Sequence, residues 1–255
     1  MKITFLGTGT SQGVPVIGCG CVVCISLDFR DKRLRSSIHI KTTDTSIVID
    51  TGPDFRQQVL REHITRLDGV LFTHAHRDHT AGLDDIRAFN FIQNMSMPVY
   101  GTTETLNQLK KDFAYIFGPK DYPGLPQISL HEIDETPFIF RSLHIMPLPV
   151  FHFKMPVFGF RIGTFSYITD CNHIPEQTLE KLNGTETLVL NALQHEQHIS
   201  HFNLEQAIQM VEIIKPKQAY FTHISHKLGL HAEVSKQLPD NIKLAFDGLS
   251  LELGA

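Results

Sequence analysis

Short apolar runs, many of them β-branched, alternate along this chain with stretches whose apolar residues recur at helical spacing. Ile3–Leu6, Ser37–Ile40 and Ser46–Ile49 read as strands, the last stopping at Asp50. Phe55–Glu62 has helical spacing through Phe55, Val59 and Leu60. Val70–Thr73 reads as a buried strand, followed by a helical stretch Leu83–Phe89, a short strand Pro98–Tyr100 and a helix Thr103–Tyr115. The middle is rich in Phe, Ile and Val: Ile128–Ile133, Phe138–Leu148 and Val157–Thr169 are expected to be extended, with Gly163-Thr164 placed as a type II′ hairpin turn. Pro175–Leu182 then reads as helix and Leu188–Asn191 as strand. Asn203–Ile214 is a helix with Asn203 as its cap and Gln206 in the capping-box position. Strands Ala219–Thr222 and Lys243–Phe246 close the series. No repeat, low-complexity tract or linker interrupts it, so residues 1–255 are expected to form one domain of layered α/β architecture.

Composition narrows the function classes. A 255-residue chain with 42% hydrophobic and 20% charged residues buries a core without disulfide staples. The net charge of −4 argues against a broad nucleic-acid surface, although a local basic patch remains compatible with it. The apolar run in Met1–Gly7 is too short for a signal-peptide core, and no run is long enough to span a membrane. The expected compartment is therefore the cytoplasm, where thiols stay reduced, and the four cysteines are read as metal ligands before disulfides. The unusual count is histidine, at 15.

The histidines concentrate in His74-Ala75-His76-Arg77-Asp78-His79, a loop after the strand Val70–Thr73. Alternate residues of an extended segment point the same way, so His74 and His76 can share one ion. Asp78 and His79 follow once the chain turns and can face a second ion. Imidazole suits zinc, iron and nickel, and the carboxylate adds tolerance for manganese. A second cluster, Cys19-Gly20-Cys21-Val22-Val23-Cys24, places three thiols within six residues, a spacing that suits zinc. A fourth ligand is needed to close a tetrahedron, and the residues alone leave His226, His231, His39 and Cys171 open for that place.

Thr73-His74-Ala75-His76-Arg77-Asp78-His79 resembles the HxHxDH signature of the metallo-β-lactamase superfamily, and the resemblance runs over nearly the whole chain. It implies a four-layer αββα sandwich with two divalent catalytic metals, zinc or manganese, at one edge. It further implies that Asp50 orients the histidine loop, that His152 completes the first metal site, that Asp170 bridges, and that His223 ends the second. The residues alone make each of these only a side chain at or beside a strand end. The cysteine loop together with Thr222-His223-Ile224-Ser225-His226 resembles the PhnP-type phosphodiesterases of phosphonate breakdown. That resemblance implies one structural zinc held by Cys19, Cys21, Cys24 and His226, and leaves Cys171 as a packed cysteine beside Asp170. A relative in PQQ biosynthesis resembles the cysteine arrangement too, but there the catalytic ligands can be altered, whereas here the set is intact.

The expected function is hydrolysis of a small phosphodiester, a sugar cyclic phosphate such as a ribosyl 1,2-cyclic phosphate, by two ions that clamp the attacking and leaving oxygens. Asp78 and His201 are the expected catalytic residues: His201, in Ser200-His201-Phe202-Asn203, resembles the non-ligand His that phosphodiesterases of this superfamily place beside the leaving group, while on sequence alone His195 and His198 compete for that role. Competing expectations are a tRNase Z-like nuclease, disfavoured by the acidic balance and the lack of a long basic arm, and a non-catalytic metal-binding protein, which would need missing ligands. Thioesterase or lactamase activity is permitted by the fold, which does not fix function. A homodimer is implied by the resemblance alone.

Overall fold

The computed structural model describes residues 1–118, 122 and 124–254. They form two compact units: Met1–Leu6, Ser37–Asp134 and Ser250–Ala255 in unit 1, and Gly7–Ser36 and Glu135–Leu249 in unit 2.

Unit 1 is built on β1 (Lys2–Gly7), β2 (Ser37–Lys41), β3 (Ser46–Ile49), β4 (Gly69–Leu71), β5 (Met97–Gly101) and β6 (Ile128–Glu132), in that spatial order. The expected strand list ended too early. Ser250–Glu252 adds a seventh strand, antiparallel to β1, with Lys2 opposite Glu252. From β3 to β6 the strands are parallel, so the residues that follow β3 and β4 emerge at the same end of the sheet. Parallel strands covered on both faces read as continuous apolar runs. All four residues of β3 are accordingly buried. Val48, Val70, Phe72 and Val99 pack in one core with Leu83, Ile86, Phe89, Leu106 and Leu109 from the helical segments. The expected helix Thr103–Tyr115 divides into Thr103–Asp112 and Ala114–Phe117, because Phe113 leaves helical geometry (φ −117°, ψ 41°) and is buried. Thr102 caps the first, its hydroxyl accepting the Thr105 N–H.

Unit 2 contains β7 (Phe138–Phe140), β8 (Leu143–His152), β9 (Met155–Ile162), β10 (Phe165–Ile168), β11 (Thr187–Asn191), β12 (Gln218–Thr222) and β13 (Ile242–Leu244), again in spatial order. The run expected as one extended segment, Phe138–Leu148, is a hairpin that turns at Arg141-Ser142 with Arg141 at φ +52°. The turn at Gly163 falls where the glycine requires it, at φ +59°. β7 to β10 run antiparallel and β10 to β13 parallel. The helix Leu204–Ile214 carries the expected capping box: Asn203 accepts the Gln206 N–H at 2.9 Å and Gln206 accepts the Asn203 N–H at 3.1 Å. Its Ala207 and Val211 face a core shared with Leu148, Val150, Leu188, Leu190 and Phe221. Among the described residues no helix is long and apolar enough to cross a membrane.

Candidate metal centres

In unit 1 the donors are set by one buried carboxylate. Asp50 directly follows β3, is fully buried and sits at φ +66°, a backbone region that a residue other than glycine enters at a cost. Its Oδ1 accepts the Thr73 N–H at 2.9 Å; its Oδ2 accepts the Thr73 hydroxyl at 2.8 Å and the Nδ1–H of His79 at 2.7 Å. Burial pushes the Asp50 pKa up, and the His79 and Thr73 donors oppose that. With its single hydrogen given to Asp50, the Thr73 oxygen is an acceptor toward His74, whose Nδ1 lies 2.9 Å away. Both imidazoles therefore carry their proton on Nδ1 and offer Nε2 as the lone pair a metal needs.

The rest of the cluster is adjacent. The ring of His74 lies 4.6 Å from that of His76 and 4.3 Å from that of His79, and an Asp78 oxygen is 3.3 Å from His79 Nε2. The segment expected as a loop closes into a short helix, Arg77–Thr80, which turns Asp78 and His79 back beside His74. Behind it the backbone passes close to the turn after β3. A Cβ on Gly82 would lie 2.2 Å from the Gly52 carbonyl and 2.8 Å from Phe55 Cβ, so only glycine fits.

Unit 2 gathers its donors at one end of its sheet. β8, β10 and β12 run in the same direction, with His152 ending β8, Asp170 just past β10 and His223 following β12. Asp170 and His223 are also left-handed, at φ +54° and +56°. His152 donates its Nδ1–H to the Ser200 carbonyl at 2.9 Å. The Nδ1 of His223 lies 3.2 Å from Ser36 Oγ and 3.0 Å from Asp170 Oδ1. Ser36 gives its own hydrogen to the Gly9 carbonyl, which leaves His223 Nδ1 as the donor. Thr169 donates to Asp170 Oδ1 at 2.6 Å.

One donor atom each from His152, Asp170 and His201 lies within 4.8 Å of the others. His201 is buried, its ring stacked at 4.8 Å on His223 and 4.6 Å from His152. Its Nδ1 has no hydrogen-bond partner among the described residues. Burial, then the neighbouring His223, pushes its pKa down to about 3, so His201 is a neutral imidazole in ordinary buffers. The two competing histidines are both exposed. The ring of His198 lies 5.1 Å from that of His201, and His195 contributes a backbone carbonyl to Asn203.

The cysteine cluster also lies wholly in unit 2. The sulfurs of Cys19, Cys21 and Cys24 are 3.4, 3.3 and 3.6 Å from His226 Nδ1. A zinc tetrahedron with Zn–S of about 2.3 Å and Zn–N of about 2.0–2.1 Å has S···N edges of about 3.5 Å, so the four donors already have the spacing such an ion imposes. The Cys24 N–H and His226 pull the Cys21 thiol down to about 6, while burial pushes Cys24 up to about 11. The other candidates for the fourth place are engaged elsewhere: His39 with Ser46, His231 with Arg33, and Cys171 with Asn191. The short segment Thr222–His226 thus serves both clusters of unit 2, His223 beside Asp170 and His226 among the thiols.

Sequence reasoning did not assign roles to Thr73, Ser36, Thr169 or the Ser200 carbonyl. Thr73 was legible, because it stands directly before the histidine motif. Ser36 and Ser200 carry no local signal; they reach their histidines through the fold, 187 and 48 residues away.

Comparison with known proteins agrees with this chemistry. A family model described as a β-lactamase superfamily domain matches residues 45–224. A solved structure described as a new diphosphatase from the PhnP family superposes with a TM-score of 0.93 at 41% identity, covering 99% of this chain and 98% of that one. An octanoyltransferase of Porphyromonas gingivalis is 38% identical over 252 residues, 98% of this chain and 51% of that protein. A ribonuclease Z of Methanococcus maripaludis is 28% identical over 190 residues, 71% of this chain and 53% of that protein. The chain thus spans about half the length of these curated relatives. The expected α/β fold class is the one found, and by this match over both units the chain belongs to the metallo-β-lactamase superfamily of metal-dependent hydrolases.

Proposed function

We propose that this chain hydrolyses a small phosphodiester, a sugar cyclic phosphate such as a ribosyl 1,2-cyclic phosphate, using two divalent ions, zinc or manganese. His74, His76, Asp78 and His79 from one unit and His152, Asp170 and His223 from the other are its metal ligands, and Cys19, Cys21, Cys24 and His226 hold a further, structural zinc. The observation that carries the metal assignment is shared by both units. His74, His79, His152 and His223 each give Nδ1–H to an oxygen, which leaves Nε2 for an ion. The phosphoester assignment rests on the full-length likeness to a PhnP-family diphosphatase.

Bound divalent ions supply Lewis acidity there, lowering the pKa of a water nucleophile and offsetting charge on phosphoryl oxygens. The chain's own residues do the rest. Asp50 and Thr73 fix the tautomers and ring planes of His79 and His74. Asp78 and Asp170 are the anionic donors of the proposed ligand set. His201, neutral and packed between His152 and His223, offers an N–H to the leaving oxygen as that oxygen gains charge; a neutral donor suits a site already crowded with positive charge. The expected compartment remains the cytoplasm, and the expected assembly a homodimer.

A second reading is a ribonuclease, favoured by the relatives of that name. Against it stands the net charge of −4, since RNA binding draws on cationic surface. Turnover of ribose 1,2-cyclic phosphate and bis(p-nitrophenyl) phosphate, set against cleavage of a structured RNA at two salt concentrations, separates them. Hydrolysis of the small esters without salt-sensitive RNA cleavage supports the first reading; the reverse pattern replaces it with the second.

A further inference from the structure

Unit 1 has a concave site at the end of β3 opposite Asp50. A cavity of about 360 Å³ is lined by Lys2, His39, Lys41, Ser46, Glu62 and Arg66 among others. Ser46 opens β3 and Asp50 follows its last residue, so the length of the strand separates the cavity from the histidine loop. The charge in it is unbalanced. Glu62 is taken by Arg61 at 2.6 Å and Arg66 by Asp68 at 3.1 Å, whereas Lys2 and Lys41 make no ion pair among the described residues. Two ammonium groups are left over.

His39 adds a specific element. Its side chain is 7% exposed, and its Nε2 lies 2.8 Å from Ser46 Oγ. Ser46 gives its hydrogen to the Arg66 carbonyl at 2.6 Å, so the serine oxygen must accept from His39 Nε2–H. Burial, and after it the charges of Lys41 and Lys2, push the imidazole down to about 4, so it is neutral near pH 7. Its Nδ1 therefore keeps a lone pair for which the described residues supply no donor.

We propose that this cavity binds a phosphate-type anion that also carries an O–H group, the Lys2 and Lys41 ammoniums meeting its charge and His39 Nδ1 accepting its hydrogen. Hydrogen phosphate and hydroxylated phosphate esters have that chemistry. Sulfate has the same size and charge without the hydrogen, so it leaves the imidazole acceptor facing an anionic oxygen. A site built to hydrogen-bond an O–H rejects an analogue that lacks it more strongly than an apolar pocket can.

The test is equilibrium dialysis of inorganic phosphate against the metal-loaded protein at pH 7.5, in wild type, Lys41→Glu and Lys2→Glu, with sulfate as competitor. Both lysines are exposed and distant in sequence from every proposed metal ligand, so hydrolysis of bis(p-nitrophenyl) phosphate is expected to be unchanged in both variants. The expected result is one fewer phosphate bound per chain in each variant than in wild type, and sulfate about tenfold or more weaker at the site so lost. The difference is counted between proteins, so it holds whether or not the metal centre itself retains phosphate. Equal phosphate stoichiometry in all three proteins, or sulfate competing as well as phosphate, would overturn the proposal.

Discussion

The Thr73 hydroxyl donates to Asp50 at 2.8 Å, and the same oxygen receives the Nδ1–H of His74 at 2.9 Å. A single hydrogen, committed to a buried carboxylate, thereby sets the tautomer of a histidine on the far side of it. Asp50 holds His79 directly and His74 through Thr73, so one anion orients two rings of the histidine cluster.

This relay makes Thr73 a positioning residue. Thr73→Val keeps the volume but removes the acceptor for His74, and the affinity for catalytic metal is expected to fall by about 10–100-fold, the usual effect of losing a ligand's outer partner. Thr73→Ser should restore most of it. Metal retained against a graded chelator series measures this, and equal retention in wild type and the valine variant would remove Thr73 from the relay.

The cysteine cluster predicts a separable metal. Cys24→Ala should lose about one zinc per chain and lower the melting temperature, because a structural zinc contributes to folding, while the other ions stay bound. Metal analysis after gel filtration, paired with calorimetry, tests both halves of that statement. Unchanged zinc content in Cys24→Ala would mean that the 3.3–3.6 Å cluster is only a set of packed thiols.

His201 is proposed to act on the leaving group without being needed to hold metal. His201→Ala should keep its ions and lose about 10²–10⁴-fold in kcat, the range expected for a positioned proton donor. The loss should shrink for substrates with good leaving groups such as p-nitrophenol, which need little help to depart. If metal content falls along with kcat, His201 is instead a ligand beside His152 and Asp170, whose donor atoms lie within 4.8 Å of its own.

Gly82 tests the frame behind the cluster. An added methyl would meet the Gly52 carbonyl at 2.2 Å, so Gly82→Ala should cost about 1–3 kcal/mol or more of stability, as overpacked sites do, and should loosen the Arg77–Thr80 turn. Urea unfolding of the metal-free protein reads this without interference from bound ions. A variant as stable as wild type would show that the turn shifts at little cost.

Much of this was legible in the chain because the chemistry is locally written. His74 to His79, Cys19 to Cys24 and the capping box of Asn203 and Gln206 are each contained in a few residues, and each group of side chains lies together in the structure. The Ile-Val-Ile run marked β3 for the same reason. What escaped depends on distance or on backbone geometry. The strand Ser250–Glu252 is three residues long and partly exposed, and it exists because β1, far off in sequence, offers it an edge. The turn at Arg141 uses a left-handed residue without glycine, so no composition signal marks it. Ser36 became visible only once β12 had delivered His223 to it.

The central claim is that this superfamily member is a metal-dependent phosphodiesterase. Its most direct test is a paired measurement of metal content and turnover of ribose 1,2-cyclic phosphate in wild type and His76→Ala, since His76 is exposed and its loss should spare the core. The account predicts about three divalent ions per chain and hydrolysis in the wild type, with His76→Ala folded, depleted in metal and inactive. A metal-loaded wild type that leaves the phosphodiester intact, or a His76→Ala protein that cleaves it at the wild-type rate, would contradict it.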